Sequence, residues 1–490
     1  MTGTIAEVRS LAVVGLGRSG RAAALLARRE LPGAAVVVID QKDEDELGSA
    51  PAELRSAGAD LLLGSAAVLP EGVELVVKSP GVPNASPIVA AALARGVTIW
   101  SEVEFAARFL SNRWIAITGT NGKTTTTELA GQILRDAGRP VEVAGNVGRA
   151  LANLPGRIDS EAVVVAELSS FQLEHIERFR PDVAVLLNLT EDHIDRHGSY
   201  ESYAGAKLRV FENQTPGDLA LVNLNDPGTM AAVAAGLPGR ARRGGFALSD
   251  AASGGHGDGG GGTVSPPLGG ETVPPLAGVH GDMLWLQTGA GRQELCPVDA
   301  LALKGQHNVA NSLAAAAAAA ALGVATPDIA ATLQNFPGVV HRLQVVGVVD
   351  GVTWVNDSKA TNVDAALKAL TAYSGPVHMI LGGSLKGASF DPLAAATEGR
   401  VKEAILIGAA AGPLRAAFER RRAAVGERAT AFVELADLEA AVAHAAAVAL
   451  PGDVVLLSPA CASFDHYRNF EHRGEHFAEL VQHLAERRPS

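Results

Sequence analysis

Two short glycine-rich stretches carry residue types that hold phosphates. Ile117-Thr-Gly-Thr-Asn-Gly-Lys-Thr-Thr125 lies between a β-rich run and a helix-forming one. Such a turn aims backbone N–H groups and a helix N-terminus at phosphate oxygens. Lys123 would reach the β- and γ-phosphates and Thr124 would ligate Mg²⁺, with Gly119, Thr120, Asn121, Gly122 and Thr125 shaping the cradle. The general P-loop pattern asks for glycine where Ile117 stands, so an accidental glycine turn is the competing reading. Gly15-Leu-Gly-Arg-Ser-Gly20 follows a second β-rich run, and Asp40 closes the next one. Gly15, Gly17 and Gly20 admit a pyrophosphate, Arg18 and Ser19 flank it, and the acid suits ribose hydroxyls. By pattern the turn fits NAD. The same geometry accepts any nucleoside diphosphate, and a second phosphate loop is foreign to a simple dehydrogenase, so we expect a nucleotide-diphosphate substrate with NAD as its rival.

Polar residues that follow strands come next, because ligands of open parallel sheets gather at the carboxyl ends of strands. Glu167 follows the apolar run 162–166, Asn146 follows 141–144, and Asp192-His193 follow 183–189. All would rim the crevice beside Lys123, where Glu167 and His193 suit a second Mg²⁺. Taken singly, each would be read as a cap or surface group. Asn356-Asp-Ser-Lys-Ala-Thr-Asn362 and Gly382-Gly-Ser-Leu-Lys-Gly387 also follow β-rich runs. They offer cations and hydroxyls for amino-acid carboxylates, and solvated loops would look the same.

The elements that must position these groups alternate. Strands are expected at residues 11–14, 36–39, 75–77, 114–118, 162–166 and 183–187, with helices from about Ser19 and Lys123. After Pro337-Gly338 the pattern resumes with strands near 345–348, 377–381, 404–407 and 454–457. Alternation of this kind implies parallel, doubly wound α/β sheets. Residues 253–281, rich in Gly and Pro, are expected to form a mobile surface insertion. The 490 residues exceed one ordinary core. A balance of 41 Lys+Arg against 53 Asp+Glu disfavours a broad electrostatic grip on nucleic acid or anionic membrane. Cys296 and Cys461 lack metal-knuckle spacing and read as reduced thiols. Residues 1–10 show no basic segment leading into an apolar one, and the alanine run 314–321 reads as a buried helix. The chain is therefore expected in the cytoplasm, as a monomer.

These motifs resemble the Mur ligase family over nearly the whole chain outside the Gly/Pro stretch. Gly15 to Gly20, Ser79-Pro-Gly81, Glu167-Leu-Ser-Ser-Phe-Gln-Leu-Glu174 and the long block from Ser458 to Gly474 resemble the members that add D-glutamate. The resemblance implies an α/β protein of three domains. These would be a Rossmann-like UDP-substrate domain (1–111), a P-loop-type ATP-binding central domain (112–338) and a Rossmann-like amino-acid domain (339–490). It implies ATP-dependent joining of D-glutamate to UDP-N-acetylmuramoyl-L-alanine through an acyl phosphate, with two Mg²⁺ ions. Folylpolyglutamate synthetases would share the central motifs without the first turn or the Ser458 block; a nucleotide sensor would bind ATP without turnover. Carried over by position, Ser19, Asp40, Ser79, Gly81, Asn146 and His193 meet the UDP-sugar. Asn311, Arg342 and Asp357 meet adenine, phosphate and ribose, and Thr361, Lys386, Ser463 and Phe470 form the D-glutamate pocket. Lys207 matches a lysine that the family carries as a carbamate, an oxygen donor to metal beside Thr124, Glu167 and His193.

Overall fold

The computed structural model describes residues 5–146, 148–249, 273–373, 375–385 and 389–487. They fold around three sheets, distributed over two compact units. One unit comprises residues 1–302 and 308–336; the other comprises 303–307 and 337–490. No described helix is long and apolar enough to cross a membrane.

The first sheet contains β1 (Ser10–Val14), β2 (Ala35–Asp40), β3 (Asp60–Leu63), β4 (Leu75–Lys78) and β5 (Thr98–Ser101) in the order β3-β2-β1-β4-β5, all parallel. Strands buried on both faces read as unbroken apolar runs, as Leu75-Val-Val does here. Chain order reverses at β1, so the crevice of this sheet opens where β1 ends at Gly15.

The second sheet comprises β6 (Trp114–Thr118), β7 (Val141–Gly145), β8 (Val163–Glu167), β9 (Val183–Leu186), β10 (Leu219–Asn223), β11 (Arg242–Ala247), β12 (Pro275–His280), β13 (Met283–Thr288) and β14 (Gly291–Pro297). Their order is β14-β13-β12-β11-β10-β9-β6-β8-β7. β6 lies between β8 and β9, which puts residues 119–122 at the reversal point. The helix Gln306–Ala321 buries Ala314 to Ala319, a soluble core helix as its composition implies.

The Gly/Pro stretch departs from expectation at its end. Residues 250–272 lie outside the described residues, but Pro275–His280 is a strand, parallel to β11 and antiparallel to β13. Gly278 packs under the Trp285 ring, where a Cβ would come within 2.8 Å of it. A large cross-strand aromatic thus supplies the buried surface that a glycine-rich composition lacks.

In the other unit β15 (Gln344–Val349), β16 (Val352–Asn356), β17 (Val377–Gly382), β18 (Val401–Ile407), β19 (Ala431–Glu434) and β20 (Val454–Leu457) run β15-β16-β20-β17-β18-β19. All pairs are parallel except β15 with β16. Those two form a hairpin through Asp350-Gly351, with φ of 53° and 76°, the left-handed pair a two-residue turn requires.

One buried acid joins the first two sheets. Glu102, 1% exposed in the first turn of the helix Glu102–Ala107, accepts the Ala152 N–H through Oε1 at 2.6 Å. Its Oε2 meets the hydrogen-bond geometry with no group among the described residues. Burial pushes this carboxyl up to about 7, against the amides of Ala152 and Leu151 and the Arg18 charge. A folded-state pKa above the ordinary 4.5 means that Glu102 contributes stability at acid pH and loses it as pH rises through about 7. Glu102→Gln, which mimics the protonated acid, is therefore expected to flatten the fall in Tm between acid and mildly alkaline pH. Parallel Tm profiles for the two proteins would contradict this titration.

Candidate active site

The loop leaving β6 is shaped by two glycines. Gly119 has φ of 149°, and a Cβ on it would press on Leu187 Cβ and Asn188 N at 3.0 and 3.2 Å. Gly122, at φ of 84°, stands just before the helix Lys123–Asp136, and a Cβ there would overlap the Asn311 side-chain oxygen. Asn188 clamps the loop from β9. Its Oδ1 accepts the Asn121 N–H at 2.8 Å and its Nδ2 donates to Asn121 O at 3.0 Å. Thr120 Oγ1 donates to Thr190 O and accepts from Tyr203 OH at 2.9 Å.

Two amines converge on one oxygen of this loop. Lys123 Nζ donates to Gly119 O and Thr120 O, each at 2.9 Å. Lys207 Nζ donates to the same Gly119 O at 2.8 Å, from the helix Tyr200–Leu208, and is 2% exposed. Burial first, then the Lys123 charge, holds Lys207 well below the usual lysine range, although Asp192 and Glu167 act the other way.

A chain of hydrogen bonds runs from this loop to the turn after β1. Thr124 Oγ1 donates to Glu167 Oε2 at 2.6 Å, and Asn146 Nδ2 donates to Glu167 Oε1 at 2.9 Å. Arg18 Nη2 donates to Asn146 O at 2.8 Å. In the β1 turn Gly15 has φ of 92°, and a Cβ on Gly20 would overlap Gly15 O. Asp40 accepts the N–H groups of Leu16 at 2.5 Å and Lys42 at 2.9 Å, so its carboxylate braces the turn itself. Ser19 and Ser79 are buried beside it and Gly81 is exposed. A cleft of about 540 Å³ next to Gly17 is lined by Arg18, Arg149 and Arg157 and by Arg21, which pairs with Glu53 in the same lining, so its charge is net positive. His193 has φ of 54°; its ring lies edge-on to Phe171 at 5.0 Å and 3.6 Å from Asp192. Among the described residues no three His, Cys, Asp or Glu side chains gather as a metal cage.

In the other unit Arg342 stands between two left-handed residues, His341 and Leu343, at φ of 62° and 46°. Its Nη1 lies 3.5 Å from Asp357 Oδ1, which also accepts Leu343 N–H at 3.2 Å. Ser458 Oγ donates to Asp357 Oδ2 at 2.8 Å. Burial pushes the Asp357 carboxyl up, with Arg342 opposing. Arg473, 1% exposed, donates to Ser358 Oγ and to the carbonyls of Ser358, Gly382, Cys461 and Ala462. This ties the ends of β16, β17 and β20 around Ser463. Ser358 Oγ donates to Phe470 O, and Thr361 lies on the same loop, three residues on. Lys386 lies outside the described residues.

Residues 117–243 match the family model for the Mur ligase middle domain, and residues 341–461 match that for the Mur ligase glutamate ligase domain. A UDP-N-acetylmuramoylalanine--D-glutamate ligase from Pelotomaculum thermopropionicum is 41% identical over 484 residues, covering 97% of this chain and 98% of the relative. The chain belongs to the Mur ligase family. An enzyme of the same name from Anaeromyxobacter dehalogenans is 43% identical, over 96% of this chain and 97% of that one. MurF from Acinetobacter baumannii shares the fold at a TM-score of 0.56 and 19% identity, over 92% of this chain and 90% of its own. MurC from Thermotoga maritima does so at 0.54 and 19%, over 97% and 99%.

Membership in the Mur ligases removes the NAD reading of the first turn. Sequence reasoning missed Tyr203, Asn188 and Arg473. Tyr203 could have been found, since it stands one helical turn before Lys207 and faces the same way. Asn188 carries no local signal, and Arg473 stood within the Ser458 to Gly474 block without being singled out. Gly122→Ala should strain the left-handed position and push Asn311 aside; we expect the KM for ATP to rise about tenfold or more, with Tm falling by a few degrees. An unchanged KM for ATP would remove Gly122 and Asn311 from the nucleotide site.

Proposed function

We propose that this Mur ligase joins D-glutamate to UDP-N-acetylmuramoyl-L-alanine at the expense of ATP, in the cytoplasm, for peptidoglycan precursor synthesis. The observation that carries the reading is the hydrogen-bonded chain from Arg18 through Asn146 and Glu167 to Thr124. It sets a diphosphate turn and a triphosphate loop side by side in one unit. Relatives that bear this activity in their names match over the full chain at 40–43% identity.

A carboxylate is a poor electrophile because attack by an amine would have to expel oxide. In the proposed reaction an L-alanyl carboxylate oxygen attacks the γ-phosphorus, the bond to the β-bridging oxygen breaks, and ADP leaves. The D-glutamate amine then attacks the acyl carbon, loses a proton, and the tetrahedral intermediate expels phosphate. Positioning and charge neutralisation carry most of such a transfer. Lys123 and Arg342 supply cations for the phosphoryl oxygens; Asn311 and Asp357 face adenine and ribose. Gly15, Gly17, Ser19, Gly20, Asp40, Ser79 and Gly81 hold the UDP-sugar, and Asn146 with His193 meets its acid end. Thr361, Ser463, Phe470 and Lys386 receive D-glutamate. We divide the chain into domains at 111/112 and 338/339 and take it to act as a monomer.

Bound Mg²⁺, two ions in this reading, would neutralise the phosphoryl oxygens. The Thr124 hydroxyl and Glu167 carboxylate, 2.6 Å apart, are hard oxygen donors fit to hold it with His193. Lys207 completes the set as a carbamate. Burial, with the Lys123 charge second, disfavours its ammonium form, and the free amine adds CO₂: the N–C bond forms, a proton leaves, and an anionic oxygen pair replaces the amine.

Phosphate release should appear with UDP-N-acetylmuramoyl-L-alanine, ATP and Mg²⁺ when D-glutamate is supplied, and not with L-glutamate or other amino acids. Lys123→Ala should cut that release by about 10³-fold while affinity for the UDP substrate stays nearly unchanged. Equal loss of both would contradict the assignment of separate sites, and release with a different amino acid would overturn the substrate.

A further inference from the structure

Glu174 ends the motif that begins at Glu167, and nothing in the chemistry above uses it. Its carboxylate, 14% exposed, lies between three segments. Oε2 lies 3.3 Å from Lys78 Nζ and accepts from Asn84 Nδ2 at 3.2 Å. Lys78 has a fully buried side chain and also donates to Val82 O at 3.0 Å. These contacts grip both flanks of the Ser79-Pro-Gly81 turn. Oε1 lies 3.3 Å from His197 Nδ1, whose other ring nitrogen is 2.9 Å from Ser170 Oγ.

His197 closes the short helix Ile194–His197 that follows His193. Its ring stacks on Phe171 at 4.9 Å and 5°, and the Arg196 guanidinium lies over the Phe171 ring at 4.0 Å. Arg196 Nη2 donates to Pro80 O and Val82 O, each at 3.3 Å, returning the network to the same turn. His193 is left in a left-handed conformation with its ring against Phe171, a geometry that persists only where the surroundings over-determine it.

We infer that Glu174 is a positioning residue for the UDP-substrate side of the reaction centre, holding the Ser79-Pro-Gly81 turn and His193 in register through Lys78, Asn84 and His197. The inference rests on the reading that Ser79, Gly81 and His193 face the UDP-sugar. Burial pushes the Lys78 pKa down and Glu174, 3.3 Å away, opposes that shift, so the pair is a local charge balance as well as a brace.

The test uses the full-length enzyme and three KM values. Glu174→Gln should raise the KM for UDP-N-acetylmuramoyl-L-alanine about tenfold or more, with those for ATP and D-glutamate within about twofold. Glu174→Gln leaves Lys78 buried without a counter-charge, so a second variant, Lys78→Met with Glu174→Gln, removes both charges. It should regain the wild-type Tm while the raised KM for the UDP substrate persists. Recovery of that KM along with Tm, or a joint rise in all three KM values, would overturn the positioning role. Gly81→Val is the control for the underlying reading. If it leaves the UDP-substrate KM unchanged, the substrate assignment fails; if it raises that KM while Glu174→Gln does not, only the inference fails.

Discussion

The carbonyl of Gly119 accepts a hydrogen bond from Lys123 and another from Lys207. Two ammonium groups cannot share one buried oxygen without strong repulsion, and removing Lys207 from water raises the cost of its charge further. Burial first, then the Lys123 charge, therefore holds Lys207 well below the usual lysine range. Much else follows from this constraint. Gly119 and Gly122 supply the positive φ angles of the loop, Asn188 holds Asn121, and Thr190 and Tyr203 hold Thr120.

The second organising feature is continuity. Glu167 takes one hydrogen bond from Thr124 and one from Asn146, and Asn146 takes one from Arg18, so the loop after β6 and the turn after β1 are joined by a continuous chain of hydrogen bonds. Both features stand at points where strand order reverses, β1 in one sheet and β6 in the next, where an open parallel sheet leaves a crevice. In the other unit Asp357 and Ser458 meet at the ends of β16 and β20, neighbours across the same kind of reversal.

Most of this frame was legible in the sequence for a physical reason: parallel strands buried on both faces must be apolar throughout, and loops that admit phosphate need glycine in fixed places. Residues 11–14, 75–77 and 454–457 fall within β1, β4 and β20. Less legible was anything decided by a distant partner. Pro275–His280 reads as part of a Gly/Pro linker until Trp285 covers Gly278. The run at 345–348 reads as another parallel strand, yet Asp350-Gly351 reverses the chain and pairs β15 antiparallel. Asp40 was expected to face ribose hydroxyls, and two backbone N–H groups already engage its carboxylate. Lys207 looked like a surface lysine in its helix; only the resemblance to a family marked it, and the fold leaves it 2% exposed.

The central claim is that burial, with the Lys123 charge second, lowers the Lys207 pKa and so favours the free amine that a carbamate requires. Carbon-13 NMR of the enzyme in ¹³C-labelled bicarbonate reads that chemistry directly. The account predicts a protein-bound carbamate resonance in the wild type that is absent from Lys207→Arg. A wild-type spectrum without that resonance, or its persistence in the arginine variant, would contradict it.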